Sequence, residues 1–245
     1  MPNERLRAAL LENGLTPEAL APILQVDSKT IERWITKGRL PYRRHRYALA
    51  ARLNMDEGYL WPGALPPEQA IGASESEIVN VFPHRWGVPN DMWRRVFETA
   101  EEEIGVLVYS GLFISEDAGI QRVFRTKADD GVRVRILLGD PSSGHVLRRG
   151  TDEGVDDALA AKIKNALVVY KPLRAIDGIE FRLHDTILYN SIYRADDQLL
   201  VNTHIYGFAA SQAPVLHLRK VAGGSMVTNY LDSFERVWER ATPLE

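Results

Sequence analysis

The segment RLHDTILYNSIYRADDQLLVNTHIYG, residues 182–207, concentrates side chains that could bind or transform a polar ligand. His184 and His204 can exchange a proton or attack an electrophilic centre, while Thr186, Asn190 and Asn202 can hydrogen-bond to ligand oxygens. The residues between are strand formers, and Arg-Ala-Asp-Asp (194–197) reads as a turn between two strands. On such strands His184, Thr186 and Asn190 share one face, as do Asn202, His204 and Tyr206. Ser110 in Tyr-Ser-Gly and Asp140 in Gly-Asp-Pro-Ser-Ser close two further apolar runs. Ligands of α/β sheets collect at such strand ends. Each of these residues also has a plainer reading. The histidines could be ordinary hairpin residues, Asp140 a turn former, and Arg149 either an anion contact or a solvated side chain. A single histidine in His-Asp-Thr gives little support for a metal. No nucleotide-binding glycine motif or nucleophile elbow is present, and no cofactor is expected.

Strands and helices alternate around these positions. EIVNVF, IGVLVYSGLFI, VRVRILLGD, IEFRL and PVLHLRKV read as strands. NDMWRRVFETAEEE, DAGIQRVFRTKADDG, GVDDALAAKIKNALVVY and MVTNYLDSFERVWERA read as helices. The order predicts an α/β domain over 78–245 with a mixed, largely parallel sheet, in which IEFRL leads into residues 182–207 as a long hairpin. Residues 62–77, rich in Pro, Gly and Ser, read as a linker.

Residues 1–61 read instead as short helices, an all-α domain. Thr16 caps a helix that begins at Pro17. Gln-Val-Asp makes a three-residue turn, and Asp27 or Ser28 starts the next helix, which stops at Gly38. This is a helix-turn-helix layout. Burying Ile31 and Trp34 leaves Ser28, Lys29, Thr30 and Arg33 outward, where such motifs reach base edges, with Lys37, Arg39, Arg43 and Arg44 following toward phosphates. Residues 28–52 carry eight Lys or Arg against one acid, Glu32, on a chain of net charge −3. A basic block on an otherwise acidic protein points to a polyanion partner at one end. The alternatives are a solvated helix face or a helical bundle used for protein contacts.

The stretch GLTPEALAPILQVDSKTIERWITKGRLP resembles the XRE family of phage-repressor-like DNA-binding domains, and the pattern TIERW…GRLP with a closing LWP is similar to that of actinobacterial regulators. Pro22, late in the second helix, departs from that family and is expected to shorten the helix. The second part resembles the phospholipase D-like superfamily, whose motif is His-x-Lys-x4-Asp followed by a Gly-Ser-x-Asn-like segment. The resemblance places the nucleophilic histidine at His184, the lysine at Thr186, the aspartate at Ser191, and the Ser and Asn positions near Asn202 and His204. It also implies that single-motif chains dimerise. With a hydroxyl in place of the lysine, the cation that would hold the transferring phosphate is missing, and the expectation is a pocket retained without hydrolysis.

The chain has 245 residues, no cysteine and no apolar run long enough to span a bilayer. Disulfides, thiolate metal sites and a cysteine nucleophile are excluded. A cytoplasmic protein without membrane contact is expected. The composite expectation is a homodimeric transcriptional regulator that binds double-stranded operator DNA, is not an enzyme, and senses a small-molecule effector through Ser110, Asp140, His184, Thr186, Asn190, Asn202 and His204. The alternatives are a DNA-targeted phosphodiesterase built on a pair of His184 residues, or a structural dimerisation domain without ligand.

Overall fold

The computed structural model describes residues 2–55, 57–61, 64 and 67–244, and for 67–70 the backbone only. The chain divides into two compact units, residues 1–77 with 220–228, and residues 78–219 with 229–245.

The first unit holds α1 (Glu4–Glu12), α2 (Pro17–Leu24), α3 (Ser28–Thr36), α4 (Arg43–Leu53), α5 (Glu57–Leu60) and α6 (Pro67–Ser76). Leu6, Leu10, Leu20, Ile31, Trp34, Leu49 and Leu60 meet in one buried cluster. The caps are those the sequence prescribes. The Thr16 side chain accepts from the Ala19 N–H and the Asp27 side chain from the Lys29 N–H, satisfying donors that a helix start leaves open. Between α2 and α3 the backbone reverses through Gln25 in the left-handed region, φ 53°. Pro22 does not shorten α2, which continues to Leu24. Of the expected linker, residues 62, 63, 65 and 66 lie outside the described residues, and 67–76 form α6. Pro62 of the LWP pattern also lies outside them.

The second unit is built on β1 (Ile78–Phe82), β2 (Glu103–Leu107), β3 (Arg133–Gly139), β4 (Ile179–His184), β5 (Asn190–Ala195), β6 (Gln198–Thr203), β7 (Val215–Arg219) and β8 (Thr242–Pro243). They form one sheet in the order β1-β7-β6-β5-β2-β3-β4-β8. The helices are α7 (Asn90–Glu98), α8 (Leu112–Ser115), α9 (Ala118–Asp129), α10 (Gly144–Asp152), α11 (Ala158–Val169) and α12 (Met226–Arg240). Tyr193 and Phe181 on one sheet face pack against Trp93 of α7 and against Tyr170, which follows α11. On the other face Gly105 leaves room for the Phe234 ring of α12, which a Cβ would approach to 3.0 Å.

The sheet is mixed, as expected, but not largely parallel. Only β2–β3 and β3–β4 are parallel among the described pairs. The tight β5–β6 hairpin is antiparallel because a two-residue turn can join only antiparallel strands, and β7, reached through residues 204–214, extends that antiparallel half. A second correction concerns the hairpin. Its turn at 194–197 joins β5 and β6 as expected, but β4 does not run on into β5 as one arm. It ends at His184 beside Gly139 of β3, and residues 185–189 cross the strand ends before β5 enters antiparallel to β2. His184, Thr186 and Asn190 therefore do not lie on one strand. The predicted run after β2 also breaks: Gly111 adopts φ +56°, where a Cβ would come within 2.7 Å of Val108, and α8 follows. Helix α10, unforeseen, starts at Ser143, whose hydroxyl accepts from the His145 N–H.

Candidate functional site

Two places gather groups with chemical potential, one in each unit. In the first, Ile31, Trp34 and Ile35 bury one side of α3. The opposite side exposes Lys29 and Arg33, with Ser28 and Thr30 half-buried at its start. Lys37, Arg39, Arg43 and Arg44 are exposed beyond it. None of these six cations joins an ion pair among the described residues. Arg44 donates instead to His45 Nε2 at 3.1 Å. Burial and the Arg44 charge lower the pKa of that imidazole, in keeping with an acceptor role. Arg46 differs from its neighbours. It is buried, donates to Glu57 at 2.6 Å and to the Pro41 carbonyl at 2.7 Å, and so belongs to the scaffold rather than to the basic surface.

In the second unit a cavity of about 100 Å³ opens at the carboxyl ends of β2 and β6 and the amino end of β5 between them. Ser110 and His204, both singled out in the sequence, line it. So do Arg85, Tyr193 and Lys162, which were not, and Ser191, which the motif comparison had placed at the aspartate position but not among the ligand contacts. Ser191 and Tyr193 are two apart on β5 and project to one face. The Ser191 hydroxyl lies 3.1 Å from His204 Nε2, and His204 Nδ1–H donates to the Leu188 carbonyl at 3.1 Å. Burial, reinforced by the charges of Arg149 and Arg85, pulls the His204 pKa down to about 4. The imidazole is therefore neutral at pH 7, and Nε2 accepts from Ser191. A hydroxyl, a neutral imidazole and a carbonyl that orients it form the arrangement a nucleophile and its base require, although a base of such low pKa drives proton transfer weakly.

The other sequence-selected residues stand outside that lining. His184 is 1% exposed, with Nε2–H on the Val108 carbonyl at 3.0 Å. Its pKa is lowered, mainly by burial. Tyr109 lies between the two histidines, with ring centroids 5.8 Å from His184 and 5.9 Å from His204. Asn202 is fully buried and donates to the Ala213 and Pro214 carbonyls. Asp140 accepts from the Ser142 amide and hydroxyl, an Asx turn. Thr186 and Asn190 are half-buried. Among the described residues no group of three or more His, Asp or Glu is placed to hold a metal ion, and no helix is long and apolar enough to cross a membrane.

No protein-family profile and no curated protein matches the chain. Among solved structures it is similar to the phospholipase D family member Nuc from Salmonella typhimurium, with 15% identity over 68% of this chain and 97% of that one, TM-score 0.41. It is similar to TrmBL2, an archaeal chromatin protein described as having a novel mode of DNA binding, at 18% identity over 92% and 72%, TM-score 0.42. It is also similar to NucT from Helicobacter pylori, at 11% identity over 67% and 98%, TM-score 0.43. One expectation is corrected here. The inference from Thr186 that the chain is not an enzyme is withdrawn, the chain being similar to a phospholipase D family member. The catalytic status of this chain is open.

Proposed function

We propose that the chain is a DNA-binding transcriptional regulator of the XRE type, whose second unit joins two copies and takes a small polar effector in the cavity at Ser110, Ser191 and His204. The observation that carries this reading is the row of six exposed cations on and after α3, none of them neutralised by a carboxylate. A solvated helix face usually intersperses both signs, whereas a face that meets phosphates does not. α3 presents Lys29 and Arg33 to guanine edges, and Arg39, Arg43 and Arg44 meet the backbone. Pairing of two copies is supported by Ile187, Tyr189, Ile205, Tyr206 and Phe208. These are exposed on two loops that the His204 N–H to Tyr189 carbonyl bond ties together, and contiguous exposed apolar surface of this kind marks contact sites.

The test is fluorescence anisotropy on a duplex selected from random sequence. Arg33→Ala lowers affinity for the selected site by about 1–3 kcal/mol and relaxes one base position. Arg44→Ala weakens all duplexes alike. Unchanged affinity in both variants rejects the reading. A second reading, hydrolysis of a phosphodiester, is favoured by the Ser191–His204 pair. Turnover of bis(4-nitrophenyl) phosphate that vanishes in Ser191→Ala supports it, and release no faster than buffer rejects it.

A further inference from the structure

The cavity does not stand alone. A groove of about 400 Å³ adjoins it and shares Arg85 and Ser211 with it. Its walls are aromatic. Trp93 is buried, Phe113 meets it edge-on at 5.0 Å, and Trp86 stands 63% exposed at the rim. The Arg85 guanidinium lies 4.2 Å over the Phe113 ring, so one cation faces both compartments.

The inner compartment is electropositive. Arg85 and Lys162 reach it without a carboxylate partner among the described residues. The carboxylate in its lining, Glu153, is held by Arg149 at 2.5 Å. The Tyr193 hydroxyl is fully buried beside Ser191 and Arg85 and forms no hydrogen bond of good geometry with either. A buried polar atom aimed into a cavity is stable when a ligand or water satisfies it. About 100 Å³ is the space of roughly three waters, which suits one tetrahedral oxyanion.

We propose that the two compartments form one site for a small molecule that joins a flat aromatic ring to a phosphate, of which a nucleoside monophosphate is the closest chemical match. The phosphate takes the inner compartment, donated to by Arg85, Lys162 and the Tyr193 hydroxyl, because a guanidinium fork matches a phosphate edge. The ring lies in the outer groove against Trp86 and Phe113, where stacking is strong and tolerant of base identity. This deepens the effector reading above and rests on it, since it names the class of effector.

Isothermal titration of the full-length protein tests it, with adenosine, guanosine, cytidine and uridine 5′-monophosphates, the free nucleosides, ribose 5-phosphate and inorganic phosphate as probes. At least one nucleotide is expected to bind about tenfold or more tightly than either its nucleoside or ribose 5-phosphate. Trp86→Ala removes that advantage and leaves ribose 5-phosphate unchanged, while Trp86→Phe keeps most of it. Arg85→Gln weakens every phosphate-bearing probe about tenfold or more. Ribose 5-phosphate binding as tightly as the nucleotides, or nucleotide affinity indifferent to Trp86→Ala, overturns the aromatic half. Absence of binding by all probes overturns the proposal. Native mass spectrometry of the purified protein separates that failure from failure of the effector reading. A retained small molecule other than a nucleotide keeps the cavity as an effector site and rejects this class of occupant, whereas a bare mass alongside a silent titration rejects both.

Discussion

His204 shows how one side chain couples the cavity to stability. Its folded pKa of about 4 lies below the roughly 6.5 of a free imidazole. Between those values the unfolded chain binds the proton and the folded chain does not, so stability rises with pH across that window. Its contribution is complete above about pH 6.5 and is lost as pH falls toward 4, at no more than about 1.4 kcal/mol per pH unit. His184 and His45, also lowered by burial, act in the same direction. Urea melts at pH 7.5, 6 and 5 check this: the midpoint falls steadily, and His204→Asn flattens the fall. A midpoint unchanged over that range contradicts the buried neutral imidazole. A second residue-scale expectation concerns Glu103, 1% exposed, which accepts from Arg133, Arg135 and Arg194. Arg135 is itself buried, bonds Glu235 of α12 and lies over Phe234 and Trp238. Glu103→Gln leaves arginine charge uncompensated in the sheet. It is expected to cost about 3–5 kcal/mol in a chemical melt, as removal of one partner of a buried pair does. A loss under 1 kcal/mol would show that the network is solvated.

At the scale of elements, the helical unit was the more legible. Thr16, Pro17, Asp27 and Gly38 mark starts and stops that act locally, so α2 and α3 fall where those residues put them. Asp27→Ala removes the acceptor for the Lys29 amide and is expected to cost about 1 kcal/mol of stability. Equal melting of variant and parent would contradict the cap. The strands of the second unit were also found one by one. Apart from the β5–β6 hairpin turning at 194–197, their partners were not, because pairing depends on the path of the chain between strands rather than on the strands themselves. A continuous run of strand formers from His184 to Tyr193 resembles a single extended arm. Only the fold reveals that β4 docks on β3 and that residues 185–189 carry the chain to β5. This explains why His184 and His204 were read as a pair of equals, while Ser191, placed only at the motif's aspartate position, was not seen to meet His204. Alternation at Ser191 and Tyr193 could have suggested their shared face. Nothing local marks Arg85 or Lys162 as cavity residues, since fold contacts far apart in sequence bring them there.

For the whole molecule, the proposal joins a unit with a cationic face to a unit with a cavity, and two copies to one operator. Sedimentation of the full chain is expected to give a dimer, and footprinting inverted half-sites about one helical turn apart or a multiple of it. A monomer protecting a single half-site would remove the pairing role of the loops at 185–189 and 204–208. The central claim, that the cations on and after α3 meet DNA, is tested most directly by the salt dependence of binding to a selected duplex. The account predicts that the logarithm of the binding constant falls linearly with the logarithm of salt concentration, and that Arg44→Ala reduces the slope by about one. No binding at low salt, or a slope indifferent to Arg44→Ala and Arg43→Ala alike, would contradict it.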